Sequence, residues 1–426
     1  MTPPRVTTSL AAAAALATAL APSMLPRPAI VEGILLALAL VVAFAVSAVA
    51  RRVVTTTPPQ GLRFAVAVVA LAVVTISAAR AVRWHNGLRS AMEMPAAGAA
   101  HWLVAAATAG AVTALALGAA RAATSLVRRW GAVRAVAVAA ATSVVVAIVG
   151  APTAVSANPA NAAAAEAAST YVALAEAPTA STRASLAVDE LERSGALERS
   201  AIVVAVPTGS GWIDAAALAG IRQRFGGDVA VVATQYTDTP SWYSFLTQRD
   251  SAEKSARAVL DAVAARLRLL PVASRPSLHV YGQSLGALGG ARAVASSPYR
   301  ADVCSAVWVG PPPGTPLSSG TVLANGSDPV PVWSADLLVR PPDAAATTHD
   351  APAPQWIPVV SFVQTTVDLL VSLNVPAGHG HRYDERQGTA MAECRRDALP
   401  SQQSDVVQSA GAAIGPRATS YAAPTR

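Results

Sequence analysis

The chain has 426 residues, of which 13% are charged, and a mean hydropathy of +0.42, so a large part of it belongs in lipid. A net charge of +7 would suit nucleic acid, but the arginines stand beside apolar runs and form no basic patch interleaved with aromatics, which excludes that class. Lys254 is the single lysine, so a Gly-Lys-Ser/Thr phosphate loop is ruled out, and two cysteines are too few for a disulfide scaffold or a structural zinc site.

In chain order, five stretches free of Asp, Glu, Lys and Arg approach the roughly 20 residues needed to cross hydrocarbon: about 7–24, 33–50, 64–79, 99–120 and 135–154. They predict a transmembrane domain of about five helices over residues 1–155. Four is the alternative count, because the first stretch is Ala-rich and also reads as a signal peptide with Arg5 before it. With five spans and a cytoplasmic N-terminus, the inside segments hold Arg5, Arg51, Arg52, Arg63, Arg121, Arg128, Arg129 and Arg134, while the outside loops hold Arg27, Arg80, Arg83 and Arg89. The excess of inside arginines supports that orientation and a multi-pass protein of the cell membrane. The following domain is then extracytoplasmic, where a disulfide between Cys304 and Cys394 competes with two buried thiols.

Residues 156–180, rich in Ala, Pro, Asn, Ser and Thr, read as a linker, and residues 399–426 as a disordered tail. Between them, residues 181–398 alternate short apolar runs with helical patterns. The segment ASLAVDELERSGALERS carries a Leu186, Leu191, Leu197 stripe and Gly195 near its end. Strands are predicted at 201–206, 229–234, 278–282, 304–309 and 321–325, apolar along their length as in a parallel sheet covered on both faces. The fold class is therefore an α-helical transmembrane bundle followed by an α/β domain of mostly parallel sheet, α/β-hydrolase-like.

The chemistry collects at the strand C-termini. Gly282-Gln283-Ser284-Leu285-Gly286 lies between an apolar strand and the small-residue helix ALGGARAVASS, the context of a strand-to-helix bend that exposes a nucleophilic Ser284. An acid and then a histidine should follow. Asp328 stands in a turn after the 321–325 run, with Asp336 as runner-up. Of the later histidines, His349 reads as a solvated loop residue, whereas His379 and His381 lie in the Gly-flanked loop VPAGHGHRYD; His381 is preferred, but spacing does not choose between them. A metal reading of His379, His381 and Asp384 lacks a further ligand cluster, so neither metal nor cofactor is expected. Oxyanion donors are expected from Leu285 and from Thr208 and Gly209 in PTGSGWID, with a plain turn as the alternative; Tyr236 and Trp242 are candidate substrate contacts or core residues.

The chain resembles the actinobacterial-type integral-membrane α/β-hydrolases. The likeness is carried by PSMLPRP (22–28), LAVDELERSGALER, PTGSGWID, QYTDTPSW, YGQSLGALG, NGSDPVPVWSADLL, WIPVVSFVQTTVDLL and VPAGHGHRY, in order. The resemblance implies a membrane-attached hydrolase and says little of substrate; Gln283 stands where an acidic residue is expected. The residues and the resemblance together predict a serine hydrolase for carboxylic esters, on small-molecule or lipid substrates at the lipid bilayer. An acyltransferase using the same residues, or a membrane scaffold without turnover, are the alternatives.

Overall fold

A computed structural model describes residues 4–53, 58–130, 170–239, 241–317, 320–343 and 347–394. The expected fifth span at 135–154, most of the linker and the C-terminal tail lie outside the described residues.

The N-terminal part is helical: α1 (Val6–Ala19), α2 (Ala29–Val53), α3 (Gln60–Ala91) and α4 (Ala99–Trp130). A long apolar run adopts helix in lipid because only helix satisfies its backbone groups internally. Three of these helices, Ala29–Val53, Gln60–Ala91 and Ala99–Ser125, are long and apolar enough to cross a membrane. The first expected span is shorter than predicted. Helix α1 has 14 residues, about 21 Å of rise against a hydrocarbon core of about 30 Å. It nevertheless runs along the bundle. At one end the Pro4 carbonyl accepts from Arg63 Nε and Thr7 O from Ser47 Oγ; at the other, Thr18 and Ala19 meet the second domain. Helices α2 and α4 pack closely at Gly33, where a Cβ would come within 2.6 Å of the Ala105 carbonyl oxygen and of Thr108.

The second domain continues with β1 (Thr170–Val172), α5 (Ala180–Arg193), β2 (Ala201–Val206), α6 (Ala215–Arg224), β3 (Val229–Thr234), α7 (Ser241–Thr247) and α8 (Arg249–Arg268). Then come β4 (Ser277–Gln283), α9 (Leu285–Ser296), β5 (Val303–Val309), β6 (Thr321–Leu323), α10 (Pro329–Val332), α11 (Val360–Val371) and α12 (Arg386–Thr389). All five predicted strands are present, and the parallel sheet has order β1-β3-β2-β4-β5-β6. The sixth strand, β1, falls inside the stretch read as linker, because three residues are too few to show a period against an Ala-rich background. Strands β2 and β3 are buried at every residue. Helices α5, α8 and α9 cover one face through Leu191, Val259, Leu260 and Ala291, and α6 covers the other through Leu218 and Ile221. The order reverses around β2 and β4, so the crevice between their C-terminal ends is where a ligand is expected. Cys304 and Cys394 are disulfide-bonded, with Cα atoms 5.7 Å apart, tying β5 to the segment after α12.

The domains meet at α11. Arg27 Nε donates to Asp368 Oδ1 at 3.0 Å, the Met24 amide donates to Oδ2 at 2.8 Å, and another Arg27 nitrogen donates to the Gln364 carbonyl at 3.0 Å. Met24, Leu25 and Met92 pack there against Val371 and Val375. Burial pushes the Asp368 carboxyl above its usual range, opposed by the Arg27 charge and the Met24 amide.

Candidate active site

Ser284 follows β4 directly, with φ 56° and ψ −125°, backbone angles that an ordinary L-residue avoids. The bend is held from outside: the Ser284 amide donates to the Val309 carbonyl at 2.8 Å, fastening it to β5. Helix α9 starts so close to the end of β2 that a Cβ on Gly286 would lie 2.2 Å from the Val206 carbonyl oxygen, which accounts for the second glycine of the motif. Leu285 is the first residue of α9, so its amide is one of those the helix's own hydrogen-bond ladder leaves unused.

Of the two acids and three histidines that follow Ser284 in the sequence reading, the fold hydrogen-bonds one pair to each other, Asp328 and His381. Asp328 caps α10, its Oδ1 accepting from the Val330 amide at 2.9 Å. Its Oδ2 accepts from His381 Nδ1 at 2.8 Å and from the Tyr383 hydroxyl at 2.6 Å. With Nδ1 donating to a carboxylate, Nε2 is the free basic nitrogen of the ring; it is buried and has no hydrogen-bond partner among the described residues. No hydrogen bond joins Nε2 to the Ser284 hydroxyl in this conformation, which is common before substrate tightens a site. Two contacts bring His381 to the bend. Gln283 Nε2 donates to the His381 carbonyl at 3.4 Å, and a Cβ on Gly310, which follows β5 with φ 51°, would lie 2.7 Å from the imidazole and 2.8 Å from Asp328 Oδ2. Any side chain at 310 would displace the pair.

The runner-up acid, Asp336, is exposed and paired with Arg340, and His349 is exposed. His379 forms a second pair, Nδ1 to Asp350 Oδ2 at 3.0 Å, on the opposite side of Gly380. Asp350 also accepts from the Ser327 amide at 3.0 Å and from the Ser327 hydroxyl, and that hydroxyl accepts from the Gly380 amide at 2.7 Å. This second network orders the loop that carries His381. Asp384 is bound by Arg386 and not by either histidine.

Of the oxyanion candidates, Thr208 does not offer its amide: that group donates to the Trp212 carbonyl at 2.9 Å, closing the turn in which it sits. Leu285 and Gly209 retain amides without partners among the described residues, and Gly209 is held through its carbonyl by Ser244 Oγ at 3.3 Å. Tyr236 is core: its hydroxyl donates to the Pro207 carbonyl at 3.1 Å, it packs on Leu285 and Leu288, and burial raises its pKa. The side chain of Trp242 lies outside the described residues. Sequence reasoning missed Tyr383, Asp350, Ser327 and Gly310. Tyr383 alone had a signal, standing two residues after His381; the others act through contacts that no local pattern encodes.

An alpha/beta-hydrolase family model matches residues 169–324 and 318–405, and a model of that family's N-terminus matches residues 20–196. No curated protein and no solved structure gives a match. The family model covers more than half of the chain, on the same residues that build the sheet, the bend and the histidine loop, and the chain belongs to the alpha/beta-hydrolase family.

Proposed function

We propose that the protein is a membrane-anchored serine hydrolase that cleaves carboxylic esters through Ser284, His381 and Asp328. The observation that carries this reading is the His381 imidazole, fixed at Nδ1 by a fully buried carboxylate, left with an unpaired Nε2, and tied through its backbone carbonyl to Gln283, the residue before the strained bend at Ser284. In the reaction, Nε2 takes the proton from the Ser284 hydroxyl as Oγ attacks the ester carbonyl carbon. The oxyanion is met by the amides of Leu285 and Gly209, the alcohol leaves with the proton returned from Nε2, and an acyl-serine remains. Water, deprotonated by the same nitrogen, then releases the acid and restores Ser284. Asp328 holds the tautomer and offsets the positive charge on the ring.

The catalytic domain faces the exterior on this reading. It docks at the end of the bundle bearing Arg27, Arg80, Arg83 and Arg89, whereas Arg5, Arg51, Arg52, Arg63 and Arg121 lie at the other end. The Cys304–Cys394 disulfide suits an oxidising compartment. The test is labelling of membranes with a fluorophosphonate probe. The wild-type chain is expected to label and Ser284→Ala to lose the label entirely; persistence of the label in Ser284→Ala overturns the assignment.

A further inference from the structure

Helix α11 belongs to the catalytic domain by topology and to the membrane by chemistry. From residue 351 to 376 the only charged residue is Asp368, and that side chain is buried against Arg27. Apart from Gln355 and Asn374, the exposed residues of the stretch are apolar or proline. Leu370 is 66% exposed, Leu373 also faces out, and at the N-terminal end of the helix Val359 and Ile357 do the same. The Val359 amide donates to the Leu338 carbonyl at 3.1 Å, joining this strip to Val339, which is 75% exposed. A water-facing surface of this kind is costly unless something apolar covers it.

Its height relative to the bundle says what covers it. Arg27 binds α11 directly, and the outward apolar surface of α2 begins three residues later at Ile30, which is 58% exposed. One helical turn is about 5 Å, so α11 lies level with the onset of the lipid-facing zone. Gln364, on the buried face of α11, also bonds the C-terminal end of α1, so α11 is fastened to the bundle while Leu370 and Leu373 face outward.

From α11 an aromatic series leads inward. Phe362 stacks on Trp333 at 6.0 Å between ring centroids, Trp333 meets Phe245 edge-on at 6.0 Å, and Phe245 packs against the cluster containing Leu285, the neighbour of Ser284. All three rings are half-buried. The geometry points to a lateral entry: the strip around Val339, Ile357, Val359, Leu370 and Leu373 is seated in the outer face of the bilayer, and the substrate is a bilayer-resident amphiphile whose acyl chain moves over Phe362, Trp333 and Phe245 to present its ester to Ser284. This deepens the hydrolase reading and rests on it for the chemistry, in which the acyl group passes to Ser284 Oγ and then to water.

The experiment uses the full chain in phosphatidylcholine–phosphatidylglycerol vesicles. Leu370→Glu/Leu373→Glu and Val339→Glu/Ile357→Glu change only exposed side chains. Hydrolysis of a water-soluble acetate ester and fluorophosphonate labelling are expected to stay within twofold of wild type, while hydrolysis of a long-chain ester embedded in the vesicles falls at least tenfold. Equal rates on the embedded ester, or a parallel fall on both substrates, overturn the entry route. Absence of turnover and label in the wild type instead removes the hydrolase reading and the substrate assignment with it. A second measurement needs no turnover: an environment-sensitive fluorophore on Leu373→Cys is expected to emit at shorter wavelength than on Ser274→Cys, in the exposed loop before β4. Identical, water-like emission at both positions overturns the seating in lipid.

Discussion

Two buried aspartates, Asp328 beyond the C-terminal end of the sheet and Asp368 at the junction with the membrane bundle, are built alike and, on the hydrolase reading proposed above, do different things. Each is almost completely inaccessible to water and each collects donors from distant parts of the chain. They differ in the partner. Asp368 faces a guanidinium, which keeps its proton at any working pH, so the pair can only hold two domains together. Asp328 faces an imidazole, which can gain and lose a proton at Nε2 while its Nδ1 stays bound. A buried carboxylate becomes part of a reaction when its partner can change charge, and a lock when it cannot.

The sharpest way to break this comparison is at Asp328. Asp328→Asn is expected to reduce kcat on a soluble ester by about 10⁴-fold, because the amide can no longer select the tautomer with a free Nε2. Asp336→Asn, at the exposed alternative, should leave kcat unchanged, and steady-state kinetics on the two variants decide between the acids. Next in size, Asp368→Ala removes the nearer of the two buried carboxylates paired with Arg27, leaving Glu32 at 3.7 Å, and should cost about 3 kcal/mol of stability. It should leave kcat on the soluble ester close to wild type, and chemical denaturation in micelles beside that assay separates lock from catalyst. Smaller again, Tyr383→Phe removes one donor from the Asp328 carboxylate and is expected to cost about 1.5–3 kcal/mol of stability, read from the same denaturation curves.

The smallest effect concerns acid. Burial, with Arg224 adding repulsion, depresses the His279 pKa to about 4, and both ring nitrogens are held by Ser305 and Ser277. Unfolded, this histidine takes up its proton near pH 6.5; folded, it refuses the proton until about 4. Its contribution is therefore complete above pH 6.5 and is lost as pH falls from there toward 4, on the order of 1 to 2 kcal/mol at pH 5. Denaturation midpoints at pH 7.5 and pH 5 should converge in His279→Gln; an unchanged difference between them would contradict this assignment.

The amino-acid order by itself determined what depends on neighbours in the chain. Three of the runs without charge became helices of spanning length, β-rich runs at helix-length intervals became a parallel sheet, and two glycines around Ser284 specified a bend only small residues permit. These are short-range consequences of hydropathy and backbone sterics. Tertiary structure alone paired His381 with Asp328 across 53 positions and His379 with Asp350 across 29, and left Asp336 at the surface with Arg340. It likewise withdrew the Thr208 amide, recruited Tyr383 and Gly310, and brought Arg27 onto Asp368 across more than three hundred positions. Hydrogen bonds act over about 3 Å of space whatever the separation in sequence, so partners that meet only after the chain closes on itself leave no periodic trace in it.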